Sequence, residues 1–173
     1  MRRQPKKSKL LPQPPAPHAA GPQAGLEIFE MPGHLMRRMH QASLAIFDTE
    51  VAAAGFDLTS VQYAAMTVIA ANPGIGQAAL AQAIAYDRPT TGGVIDRLES
   101  KGLVRRENDP HDRRSRLLFL EEAGKTVLAG ITPAVRRAQD HMLQGLSAAE
   151  RKMLLQLVKK TLSIVGTIRR HSA

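Results

Sequence analysis

The sequence predicts an all-α fold with a small β-wing, α+β in the strict sense. Three observations predict it. Apolar residues recur at three- and four-residue spacings through most of the chain, the period of a helix buried on one face. Between Tyr86 and Arg116 that pattern gives way to helix, glycine stop, short strand, turn and return strand. The helical segments on either side of this middle part are themselves strongly apolar along one face, which asks for partners beyond a small central lobe.

Size and charge bound the answer. The chain has 173 residues, enough for one domain with its own core. The expected organisation is a tail over 1–25 and a single domain over 26–173. Within it, a winged helix-turn-helix lobe spans about 58–120, and helices that would pair two copies span about 31–54 and 121–169. The absence of cysteine excludes disulfides, cysteine zinc sites and thiol redox sensing. No run is long enough to cross a membrane, so a cytoplasmic location and no membrane partner are expected. The formal net charge is +9, which favours anionic partners such as nucleic acid. Aromatic residues make up 3% of the chain, too few for the stacking platforms of single-strand binders, so duplex is the better expectation. No glycine-rich phosphate loop, nucleophile with a nearby base, or useful carboxylate pair is visible, which argues against an enzyme.

The first 25 residues carry Arg2, Arg3, Lys6, Lys7 and Lys9, no acid and six prolines. Such a segment cannot bury enough apolar surface to offset its ordering, so a disordered tail or a basic arm is expected. Met31-Pro32-Gly33 opens the first helix, and Leu35, Met39, Ala42 and Ile46 form its apolar stripe. Gly55 ends it. His34, Arg38 and His40 leave two readings open: an ordinary solvated flank, or the rim of a pocket for an anionic ligand. His34 and His40 do not share a helix face, so a metal site is not expected.

Thr59-x-x-Gln62 is a capping box that starts a second helix, and Asn72-Pro73-Gly74 ends it. A short helix follows over Gly76–Ile84. After a turn at Tyr86-Asp87, a helix over Asp87–Lys101 completes a helix-turn-helix, and Gly102 stops it. On a helical wheel Val94, Ile95 and Leu98 define the buried side, and Thr91 falls with them. Pro89, Gly93, Asp96 and Ser100 point outward, with Thr90, Gly92 and Arg97 on the flanks. Two interior glycines cost the helix about 1 kcal/mol each against alanine. Close packing at Gly92, and close approach of a groove wall at Gly93, would explain them. A bare acid on this face would repel phosphate, so two readings of Asp96 stay open: pairing with Arg97 or a wing arginine, or accepting from a cytosine amino group.

Leu103-Val104 begins one strand, Asn108 to Asp112 makes the turn, and Leu117–Leu120 is the return strand. Arg113, Arg114 and Arg116 crowd the far side of the turn. Glu121 starts a long helix with Pro133 inside it, where a kink is expected. Ser147-x-x-Glu150 caps the last helix, whose stripe runs through Met153, Leu154, Leu157, Val158, Leu162 and Val165. These terminal helices read as a dimerisation bundle.

This order of parts resembles the MarR family of bacterial transcriptional regulators over about residues 30–168. The resemblance rests on Asp87-Arg-Pro-Thr-Thr-Gly-Gly-Val-Ile-Asp-Arg-Leu-Glu-Ser-Lys-Gly-Leu-Val-Arg-Arg106 and on Asp109-Pro-His-Asp-Arg-Arg114. It departs from the family at Glu121, where the usual cap is threonine. The resemblance implies a homodimer on a palindromic double-stranded operator, with half-sites ~10 bp apart. The residues it offers to DNA are Arg88, Pro89, Thr90, Thr91, Gly93 and Arg97 on the helix, and Arg113, Arg114 and Arg116 on the wing. It also implies a repressor released by a small organic anion. Pro32 to Gln41 is similar to the subset that controls aromatic-acid catabolism, which points His34, Arg38 and His40 at an aromatic carboxylate or its CoA thioester. The alternative is a ligand-independent regulator controlled by abundance or by a protein partner. No cofactor is expected.

Overall fold

The structure, a computed structural model, describes residues 27–110 and 116–171, with side chains as far as 164. The tail over 1–25 lies outside the described residues. The chain divides into two compact units, residues 1–39 and 40–173.

The first unit holds a one-turn 3-10 helix, Glu27–Glu30, and the beginning of α1 (Pro32–Ala53). The turn between them is closed by Met31 N donating to Ile28 O at 3.2 Å. Phe29 meets the His34 ring edge-on, with centroids 5.3 Å apart. Leu35 and Met39, two members of the expected stripe, remain exposed.

The second unit carries the core. The part of α1 that enters this core does so through Phe47 and Val51, four residues apart. The expected stripe of Leu35, Met39, Ala42 and Ile46 is therefore not the face buried in the core. The helix is apolar on more than one side, and periodicity alone could not say which side meets the chain's own core. Next comes α2 (Ser60–Ala71), with Thr59 as its cap. Gln62 N donates to the Thr59 hydroxyl at 3.3 Å, and Thr59 N donates back to Gln62 Oε1 at 2.9 Å. Both orphan amides of the helix start are thereby satisfied, as the capping box requires.

A two-residue strand, β1 (Ile75–Gly76), precedes α3 (Gln77–Ala83) and α4 (Arg88–Ser100). Then β2 (Val104–Asn108) and β3 (Arg116–Leu120) form the hairpin. The sheet is antiparallel with order β1-β3-β2. Val104 lies opposite Leu120 and Asn108 opposite Arg116, while Ile75 pairs with Leu118. The third strand is absent from the sequence reading because two residues show no alternation. Gly74, at φ 83°, turns the chain so that its amide donates to Leu118 O at 2.9 Å.

Met66, Ile69, Leu80, Ile95, Leu98, Leu118 and Ile131 are fully buried. Each contributes about 1.5–3 kcal/mol from burial, and together they bind α2, α3, α4, the sheet and α5 into one core. α5 (Glu122–Met142) runs unbroken through Pro133. Its cap residue Glu121 makes no side-chain capping bond, in keeping with the departure noted there. The entry to α5 is fixed instead by Gly124, where a Cβ would fall 2.1 Å from Leu103 O. α6 (Ala148–His171) starts at the second capping box, with Ser147 N donating to Glu150 at 2.8 Å. Among the described residues, no helix is long and apolar enough to cross a membrane.

Candidate nucleic-acid interface

The start of α4 is built by Asp87, which is the helix cap and not its first turn. One carboxylate oxygen accepts from Thr90 N and the other from the Thr90 hydroxyl, both at 2.7 Å. The Thr90 amide first, and its hydroxyl second, hold the Asp87 carboxyl below the usual carboxylate range. Pro89, in the first turn, lacks only an N–H that a helix start leaves unpaired in any case. The turn from α3 is tight. Ala85 takes a positive φ of 58°, and Tyr86 N donates to Ala81 O at 3.0 Å.

Thr91 does not belong with the DNA candidates. It is fully buried, and its hydroxyl donates to Asp87 O at 2.8 Å. Arg88, Pro89, Thr90 and Arg97 are exposed. The two glycines part company. A Cβ on Gly92 would come 3.2 Å from Gln77 Nε2, at the start of α3, so Gly92 makes room for the neighbouring helix. A Cβ on Gly93 would meet nothing within 4 Å, so nothing in the free protein demands glycine there.

Asp96 is paired, and its partner is a wing-strand arginine. Arg106 on β2 sends one terminal nitrogen to Asp96 and the other to Glu99, each at 2.5 Å. Burial works against the Arg106 charge. The hydrogen bond to Asp96 and the charges of Glu99 and Asp96 more than offset it, so this guanidinium holds its proton more tightly than an ordinary arginine. At the far end of α4, Lys101 Nζ donates to Asp57 O at 2.6 Å and to its carboxylate at 2.9 Å, tying the helix to the loop before α2. Arg116 is exposed at the base of the hairpin turn. Arg113 and Arg114 lie outside the described residues.

The three effector candidates do not stand alike. His34 is half-buried, and its Nε2 is sealed from solvent without a hydrogen-bond partner. Arg38 and His40 are exposed. A cleft of about 320 Å³ lies on the outer side of the sheet, between Pro73, Arg105, Phe119 and Lys125. None of the three candidates lines it. Arg105 instead lies over the Phe119 ring, 4.7 Å from its centre. One polar cluster went unread in the sequence. Glu50 on α1 accepts from Arg137 Nε at 3.1 Å, and His141 Nδ1 of the same α5 stands 3.7 Å away. No local pattern links positions so far apart in the chain.

Among the described residues, α3, the turn at Ala85–Tyr86, α4 and the β2–β3 hairpin make a winged helix-turn-helix, the architecture of a DNA-binding regulator. Comparison with known proteins agrees. A model of the MarR family matches residues 58–115. The transcriptional regulator HosA of Escherichia coli O111:H- is 37% identical over 130 residues, covering 75% of this chain and 93% of HosA. The ligand-bound PcaV transcriptional regulator of Streptomyces coelicolor superposes with a TM-score of 0.74 at 31% identity, over 81% of this chain and 97% of PcaV. BpsR of Bordetella bronchiseptica, whose DNA binding is regulated by 6-hydroxynicotinic acid, superposes with a TM-score of 0.72 at 30% identity, over 76% of this chain and 93% of BpsR. The chain belongs to the MarR family and is a DNA-binding transcriptional regulator.

Proposed function

We propose that the protein is a homodimeric repressor that reads a palindromic operator through α4 and leaves it when an aromatic acid, or the CoA thioester of one, binds. The observation that carries the DNA reading is the outward face of α4. Gly93 has open space around it, with exposed Arg88, Thr90 and Arg97 about it on the same helix. A helix with a small, uncovered face bordered by arginine suits the major groove. The glycine lets the backbone come close, and the arginines meet phosphate or guanine edges. Thr90 presents its methyl group and lone pairs, because its proton goes to Asp87. Arg113, Arg114 and Arg116 of the wing extend the contact toward the neighbouring groove.

Dimerisation is supported by α6. Met153, Leu155, Leu157, Leu162 and Ile164 are 51–65% exposed in one copy. By helical periodicity Met153, Leu157 and Ile164 share one side of α6 and Leu155 and Leu162 the opposite side, so a second copy whose helices pack on both sides would cover apolar surface that water otherwise meets. The effector reading rests on His34, Arg38 and His40. A buried ring nitrogen without a partner costs about 1–3 kcal/mol, and a phenol or carboxylate would satisfy it. Arg38 supplies the charge-assisted donor that a carboxylate favours. The response of BpsR to an aromatic acid supports the same ligand class here. A location with the DNA, in the cytoplasm, goes with this reading.

The test uses a duplex selected from a randomised pool by the full chain. Binding is followed as 6-hydroxynicotinate, other aromatic acids and acyl-CoA thioesters are added in turn. At least one should release the DNA, and Arg38→Ala should bind DNA normally but resist release. If the whole panel leaves the complex intact, the ligand-independent regulator replaces this reading.

A further inference from the structure

We propose that Arg106 is a positioning residue for DNA recognition: it locks wing strand β2 to α4 and neutralises Asp96, on the DNA-facing side of that helix, together with Glu99 on its flank. This inference rests on the reading of α4 as the helix that enters the groove.

Asp96 and Glu99 stand three residues apart on α4, and Asp96 stands three residues beyond the open position at Gly93. The side chains of Asp96 and Glu99 are 66% and 41% exposed. Two carboxylates so placed would repel the phosphates that the helix must approach. Arg106 meets both with one guanidinium, while its own side chain is only 22% exposed. A fork with two separate donor nitrogens can span two acids, whereas the ammonium of a lysine is a single point charge. With Arg97 and Arg106 set beside Asp96 and Glu99, the patch is neutral.

The same contact has a mechanical side. Only the short link around Gly102 joins α4 to β2 covalently. The register of β2 on β3 runs from Val104 opposite Leu120 to Asn108 opposite Arg116, at the base of the hairpin turn. Holding Arg106 against α4 therefore sets the direction in which the hairpin leaves the helix. An isolated surface ion pair would do little, but a forked, partly buried one between a helix and a strand restrains both.

The experiment measures binding of the full chain to the selected duplex and to a random-sequence duplex, by fluorescence anisotropy over a range of salt. Arg106→Met keeps the buried stem and removes the charge. Affinity for the selected duplex should fall ~10-fold at low salt, with the deficit narrowing as salt screens the exposed acids. Adding Asp96→Asn and Glu99→Gln to that variant should recover ~3-fold of the loss at low salt, because the repulsion is gone, and leave a salt-independent remainder from the missing lock. Arg106→Lys should fall between the wild type and Arg106→Met. A folded Arg106→Met protein that binds within twofold of wild type at every salt concentration overturns the inference. So does a triple variant that binds no tighter than Arg106→Met at low salt. If Arg106→Met does not fold, Asp96→Asn with Glu99→Gln in the otherwise native chain decides. It should tighten random-duplex binding ~3-fold or more and narrow the selected-to-random ratio, and no change in either refutes the role. Arg97→Ala, run alongside, separates the two claims. If Arg97→Ala weakens binding and Arg106→Met does not, only this inference fails. If neither matters, the reading of α4 fails.

Discussion

Replacing Gly93 by alanine should move stability and DNA affinity in opposite directions. Gly93 is the sixth residue of the 13-residue α4, well inside its hydrogen-bonded interior. Alanine there removes the entropic penalty of glycine, worth about 1 kcal/mol. A Cβ would meet nothing within 4 Å, so no packing cost in the free protein cancels that gain. The melting temperature should rise by roughly 2–4 °C for a chain of this size. In the DNA complex the added methyl group would stand between helix and groove. Overpacking of about 1–3 kcal/mol corresponds to roughly 5- to 150-fold weaker binding. Differential scanning calorimetry and anisotropy with the selected duplex measure the two effects on one sample. A variant that melts higher and binds within twofold of wild type would refute the close approach at Gly93. Gly92→Ala is the internal control. Its Cβ would press on Gln77 Nε2 at 3.2 Å, so its gain in melting temperature should be smaller.

Three further outcomes are expected. Thr91→Val should cost about 0.5–1.5 kcal/mol of stability through the lost bond to Asp87 O, and should leave DNA affinity within twofold, as thermal melts and anisotropy will show. Leu162→Glu should weaken self-association ~100-fold in sedimentation equilibrium, because a carboxylate would be buried without a partner. A wild-type chain that is monomeric would remove the dimer from the proposal. The Asp87 carboxyl has a folded-state pKa below its unfolded value, so its contribution is present above the unfolded value, about 3.9. It is lost as pH falls through the folded value. The gap in urea midpoint between wild type and Asp87→Ala should therefore be clear at neutral pH and shrink in acid, and a gap that widens in acid contradicts the sign.

Short-range features of the fold were legible because their chemistry is local. Thr59-Gln62 and Ser147-Glu150 satisfy amides within one turn, so four residues carry the whole signal. Gly102 takes a φ of 66°, a conformation in which glycine carries no side-chain penalty. The wheel placed Thr91, Val94, Ile95 and Leu98 on the buried side of α4, and all four are buried. The difference between Gly92 and Gly93 was also anticipated, since one faces a neighbouring helix and the other does not.

Other features have no local signature. β1 exists because Pro73 and Gly74 bring two residues alongside β3, and pairing with a strand some forty residues later cannot be seen in Ile75-Gly76. The sequence shows one helical stripe in α1, Leu35, Met39, Ala42 and Ile46, and Phe47 and Val51 are the residues that enter the chain's own core. Both sets have helical spacing, and only the position of α2 and α5 selects between them. For Asp96 the sequence offers Arg97 or a wing arginine, and does not single out Arg106; the β2 register is what brings Arg106 against α4. Local chemistry makes the helices, the capping boxes at Thr59 and Ser147, and the two strands of the hairpin legible, because each depends on side chains within a few residues. Tertiary structure decided which apolar face is core, which glycine is needed for packing, and which arginine answers the acids of α4. Those choices depend on distances between elements, and chain spacing does not encode them.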